Sequence, residues 1–89
     1  LAATSSPYHS KVYPNPAGNR LYVDYTLPDT VKGVFELCDL HGRIIHKEII
    51  NTQGRLTLDT HNLQAGIYYC KVYDADGVLY NQTKLVIIH

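Results

Sequence analysis

The sequence predicts an all-β fold: a mostly antiparallel, Greek-key β-sandwich in a single domain. Three observations carry that expectation. Apolar residues alternate with polar ones at a period of two, as in residues 20–27. Turn signals recur about every 8–12 residues, which is the spacing of a sandwich. No window shows an apolar period of 3.6 residues, so no helix is expected.

The elements follow in chain order. Residues 1–10 (LAATSSPYHS) are small and polar and are broken by Pro7, so they read as the end of a linker. Residues 11–13 form a short strand that Pro14-Asn15-Pro16 stops, since proline cannot donate to a ladder. Residues 20–27 alternate cleanly, with Leu21, Val23, Tyr25 and Leu27 inward and Tyr22, Asp24 and Thr26 outward. Pro28-Asp29 ends this strand. Residues 34–40 come next, with Phe35 and Leu37 inward and Glu36 and Cys38 outward. His41-Gly42 makes a tight hairpin turn, Gly42 supplying a positive φ. Residues 43–50 return, and 51–54 turn again. Residues 55–59 point Leu56 and Leu58 inward, and Leu63 plugs the connection that follows. Residues 66–73 then place Tyr68, Cys70 and Val72 on one face. A glycine followed by an inward tyrosine is a way to pin a sandwich corner, the phenol oxygen bonding back to nearby backbone. After a turn at Asp74-Ala75-Asp76-Gly77, residues 78–88 close the chain. Residues 43–50 and 85–88 are apolar on both faces, so each is either covered on both sides or leaves apolar side chains exposed.

Composition limits function. At 89 residues, 45% hydrophobic and 18% charged, the chain can bury ~60–65% of its unfolded surface in one modest core. Eight basic residues face eight acidic ones. That balance argues against nucleic acid or an anionic membrane as main partner. No apolar run approaches the ~20 residues of a spanning helix. The sequence contains no methionine, from which a piece of a longer protein is expected.

Enzyme chemistry finds no support. The five histidines have no short metal-ligand spacing that includes a cysteine, and His41 and His46 straddle a hairpin. No catalytic residue, metal or cofactor is expected. Cys38 outward and Cys70 inward cannot meet disulfide geometry, so two free thiols are expected. Asn81-Gln82-Thr83 matches a glycosylation sequon, a triplet common by chance.

An antibody-type domain fits residues 66–70 but fails elsewhere, because strand 20–27 has no cysteine and the chain has no tryptophan. A second resemblance covers residues 11–89. Val12-Tyr13-Pro14-Asn15-Pro16 resembles an opening "YPNP" motif. Leu37 to Arg43 (LCDLHGR) resembles a "v-y-D-l-x-G-[RK]" hairpin. Leu56-Thr57-Leu58-Asp59 and then Leu63 to Tyr68 resemble "l-x-L-D…L-x-x-G-x-Y". Lys84-Leu85-Val86-Ile87 resembles a closing "K-l-v-v" strand. In that order these features resemble the C-terminal sorting domain of proteins exported by the type IX secretion system of Bacteroidetes. Cys38 stands where tyrosine is common, and the chain ends in His89 rather than a basic residue.

The resemblance implies a seven-stranded immunoglobulin-like sandwich that acts as a transport address rather than a catalyst. Residues 1–10 would then link an upstream cargo to a sorting domain over 11–89. The implied partners are the outer-membrane secretion machinery, a sortase-like cysteine protease that removes the domain, and the covalently attached cargo. The implied route runs from the periplasm to the cell surface or the medium. Candidate recognition residues are Tyr13, Pro14, Asn15 and Pro16 in the corner, and Lys84, Leu85, Val86, Ile87 and Ile88 in the closing strand. Such a terminal strand could pair with a partner's edge. Asn15 is expected to bond backbone two residues on. Gly42, Gly66 and Tyr68 read mainly as fold determinants. The rival reading is a carbohydrate-binding or structural accessory domain (immunoglobulin-like or fibronectin-III-like) of a secreted enzyme, with Tyr22, Tyr69 and Tyr73 outward.

Overall fold

The computed structural model describes residues 9–27 and 32–89. Seven strands appear in it: β1 (His9–Tyr13), β2 (Arg20–Thr26), β3 (Gly33–Asp39), β4 (Ile44–Ile50), β5 (Gln53–Asp59), β6 (Gly66–Asp74) and β7 (Leu79–Ile87). No helix occurs among the described residues, and so none is long and apolar enough to cross a membrane. The expected linker falls mostly outside the described residues, and its last two positions belong to β1. The stop at Pro28-Asp29 also lies outside them.

The strands form two sheets, of order β1-β2-β5 and β4-β3-β6-β7, in which all strand pairs are antiparallel. The chain changes sheets between β2 and β3, β4 and β5, and β5 and β6. The result is a β-sandwich compatible with an immunoglobulin-like arrangement. Alternation holds where it was clearest: Leu21, Val23, Tyr25 and Leu27 of the second strand segment are all buried. They meet Phe35, Leu37, Leu56, Leu58, Tyr68, Cys70, Val72, Leu85 and Ile87 in one core. Leu63 packs against that core as a partly buried plug. Burying one such aliphatic side chain contributes about 1.5–3 kcal/mol.

The two strands that read as apolar on both faces resolve differently. In β4 Ile50 is buried, but Ile44 and Ile49 are exposed, because β4 is an edge strand paired only with β3. Lys47 stands on this edge, and His46 and Glu48 are bound to each other at 2.9 Å beside it. Charges so placed discourage a foreign strand from joining. In the closing strand Leu85 and Ile87 are buried and Ile88 is exposed.

Two hairpins share one construction. In each, an aspartate (Asp39 or Asp74) uses its carboxylate Oδ1 to accept two turn amides, from His41 and Arg43 or from Asp76 and Val78. A glycine with φ of 86° follows, Gly42 or Gly77. A β-carbon there would force a left-handed backbone on an ordinary residue. Gly42 thus has the positive φ expected of it.

Cys38 faces outward as expected, but it is covered. Opposite Tyr69 in the β3–β6 register, it shares the outer face with that residue, whereas Leu37 and its partner Cys70 point inward. Yet Cys38 is 2% exposed. Ile44 on β4 and Tyr69 on β6 flank it, and two large neighbours on the same face cover a small thiol. A register shift between Leu37 and Cys38 brings Ile44 into that place. Both cysteines are free, and they lie on opposite faces.

Candidate functional site

Because successive strands alternate in direction, segment 14–19, hairpin 40–43, segment 60–65 and residues 88–89 all lie at one pole of the sandwich. Motif residues scattered over the chain therefore converge there. The contacts confirm it. The Thr60 amide donates to Asn19 O at 2.9 Å, and the buried Thr60 hydroxyl donates to Gly18 O. The His89 ring donates from Nε2 to Leu63 O at 2.7 Å. The Tyr68 hydroxyl donates to Gln64 O at 2.7 Å, which is the expected corner pin. Gly66, just before it, has φ of 154°.

The opening corner is built differently from expectation. The bonds Tyr13-Pro14 and Asn15-Pro16 are both cis. Asn15 does not bond its own neighbourhood. Its Nδ2 donates to Lys84 O at 2.8 Å, and its Oδ1 accepts from Val86 N at 3.1 Å. The carboxamide thus acts as one peptide unit of an added strand. Ala17 completes it: its amide donates to Val86 O, and its carbonyl accepts from Ile88 N, each at 2.8 Å. Ala17 also forms a parallel bridge with Ile87 and is fully buried. Lys84 O, Val86 N, Val86 O and Ile88 N are therefore all occupied. A partner strand joining this stretch of the edge would have to displace Asn15 and Ala17 from these four groups.

Of the candidates, the structure brings Asn15 directly onto Lys84 and Val86. Leu85 and Ile87 are core residues. Val86 lies on the outer face opposite Ile67, half-buried. Pro14 and Pro16 are exposed. Gly66 lines an open cleft of about 620 Å³ at this pole together with Asp39, Arg43, Leu63 and Tyr68, whereas Gly42 serves the hairpin turn with its positive φ.

Tyr13 points elsewhere, onto the outer face of the three-stranded sheet. Its hydroxyl donates to Asp24 Oδ2 at 2.8 Å, and Arg55 Nε bonds Asp24 Oδ1 at 2.6 Å. The Tyr13 and Tyr22 rings lie 5.6 Å apart, and the Arg55 guanidinium sits over both. Arg55, then the Tyr13 hydroxyl, hold the Asp24 carboxyl below its usual range, and Asp24 in turn raises Tyr13. Sequence reasoning missed this network. Its signal was Asp24 and Arg55 at matching outward positions of two strands. Tyr22 is thus on one sheet, whereas Tyr69 and Tyr73 are on the other, so the three do not form one platform.

No group of three or more possible metal ligands occurs among the described residues. Burial pushes the Cys70 thiol up to about 12, which makes it a poor nucleophile.

The profile of the secretion system C-terminal sorting domain family matches residues 11–88. The chain belongs to this family. A sorting domain of this kind is a C-terminal signal for type IX secretion, a system described from Bacteroidetes, and it is a signal domain, not a catalytic one. It implies interaction with the secretion machinery, and its substrates are exported across the outer membrane to the surface or extracellular space. No curated protein matches the sorting domain.

Proposed function

We propose that this sorting domain is read at the pole where its opening corner and closing strand are fastened together, while its cargo passes from the periplasm across the outer membrane. The cargo is attached on the N-terminal side of residue 11. A surface sortase-like cysteine protease then removes the domain by cutting in or before residues 1–10, a stretch with the small, polar composition that proteases favour. The domain itself performs no chemistry.

One observation carries this reading. The Asn15 carboxamide bridges Lys84 O and Val86 N. It turns two motifs at opposite ends of the sequence into a single surface, with Pro14 and Pro16 exposed beside it.

The test is a fusion of residues 1–89 behind a periplasmic reporter, expressed in a host with the type IX system. Surface or extracellular reporter is expected for the wild type. Pro14→Ala with Pro16→Ala is expected to lower export while the purified variant keeps its melting temperature. Export that falls only in step with stability would leave the corner a folding element and defeat the recognition reading.

A further inference from the structure

We propose that the outer face of the four-stranded sheet, next to the motif-bearing pole, docks a protein surface that is apolar at its centre and acidic at its rim. This deepens the sorting function and rests on it.

The register defines the patch. Ile44, Cys38, Tyr69 and Lys84 lie side by side on β4, β3, β6 and β7. Ile67 and Val86 form the next row toward the pole. Side chains directly opposite on one face are neighbours, and residues two apart on a strand share that face. Ile44, Tyr69, Ile67 and Val86 therefore make one contiguous apolar surface. Ile44 is 49% exposed and Ile67 36%. Outward positions of an antiparallel sheet are normally polar when they face water. Here they are not, and Cys38 is already buried beneath them. The apolar outward residues of the closing strand thereby acquire a purpose that core packing does not supply.

The charge of the face selects the partner. Among the described residues, the strand positions of this face carry Lys47, Lys71 and Lys84 with one carboxylate, Glu36, which lies 3.9 Å from Lys47, and Asp74 borders its end away from the motif-bearing pole. The chain as a whole is neutral, so this positive excess is local. Lysines beside an apolar centre complement a surface that carries carboxylates around apolar side chains. A second copy of the domain fits poorly, since face-to-face pairing would set lysine against lysine. An anionic bilayer fits poorly as well, since three lysines on a neutral protein give weak attraction. Contact through side chains is also the mode left open by the strapped edge of β7, where Asn15 and Ala17 occupy the backbone.

The experiment compares reporter fusions in a type IX host. Lys71→Glu with Lys84→Glu places like charge against the partner and is expected to reduce surface reporter about tenfold or more. Lys11→Glu with Arg20→Glu, the same change of net charge on the opposite sheet, is expected to export as the wild type does. Lys71→Gln with Lys84→Gln, which adds no repulsion beside Glu36, is expected to fall between the two and keeps the test valid if the double reversal folds poorly. Val86→Ser is expected to reduce export with little change in melting temperature. If the wild-type fusion is exported and both lysine pairs are too, this docking face is wrong while sorting stands. If the wild-type fusion stays inside, the sorting reading fails and this proposal with it. Equal losses in the Lys11/Arg20 control would also overturn it. So would purified domain binding to anionic phospholipid vesicles, or sedimenting as a dimer, in a way the Lys71/Lys84 reversal abolishes.

Discussion

Asn15→Ala isolates the fastening of the corner to the closing strand. The substitution removes two hydrogen bonds, of 2.8 and 3.1 Å, from Lys84 O and Val86 N. A net hydrogen bond is worth ~0.5–1.5 kcal/mol, and leaving a partner unmet costs more only where water cannot reach it. The site is exposed, so water takes over both groups and the lower half of that range applies. The expected loss is about 1–2 kcal/mol. For a domain of this size each kcal/mol moves the melting temperature by about 4–8 °C, so a fall of roughly 4–16 °C is expected. Asn15→Asp keeps the acceptor for Val86 N but sets a carboxylate against Lys84 O, and should lose at least as much stability. Calorimetry measures the first quantity. Amide exchange measures the second, because the Val86 amide has its partner on Asn15 and should lose protection about tenfold per 1.4 kcal/mol. An Asn15→Ala variant that melts within a degree of wild type, with Val86 still protected, would refute the bridge.

Other predictions follow from single contacts. Tyr68→Phe deletes only the 2.7 Å bond to Gln64 O and should cost about 1–2 kcal/mol, read by urea denaturation with an unchanged slope. The carboxyls of Asp24, Asp39 and Asp59 are held below their ordinary value of 3.8, chiefly by hydrogen bonds from Arg55, the Arg43 amide and His61 respectively. Depressed values mean stability that is complete above the unfolded value and lost as pH falls through the folded ones, so acid should destabilise the domain from about pH 4 downward; in Asp24→Asn that loss should be smaller. Cys70 rises from 9.0 to about 12 on burial. The unfolded chain therefore ionises first, and stability should decline above pH 9. In the folded domain the Cys70 thiol should resist a thiol reagent at pH 8 and react once urea unfolds the chain.

Much of the fold was legible because its signals are local. The alternation Leu21-Tyr22-Val23-Asp24-Tyr25 predicts its own burial pattern, and His41-Gly42 predicts its hairpin, since each depends on residues a few positions apart. Cys38 faces outward as its alternation predicts, yet its burial was not legible, because alternation fixes the side a residue faces but not what covers it. Ile44, brought alongside by a one-residue shift, and Tyr69 decide that. The role of Asn15 was also illegible. A local turn bond and a bridge to β7 use the same carboxamide, and only docking selects between them.

By itself the sequence determined a single β-sandwich of seven strands, a tyrosine pin at Tyr68, two free thiols and the order of motifs that mark a sorting domain. The tertiary structure alone decided that these motifs meet at one pole, that β7 has its edge strapped by Asn15 and Ala17, and that Ile44, Tyr69, Ile67 and Val86 join into one surface. Patterns of period two are set by neighbouring residues. Contacts such as Asn15 with Lys84, 69 positions apart, exist only once two sheets have packed and set the strand ends side by side.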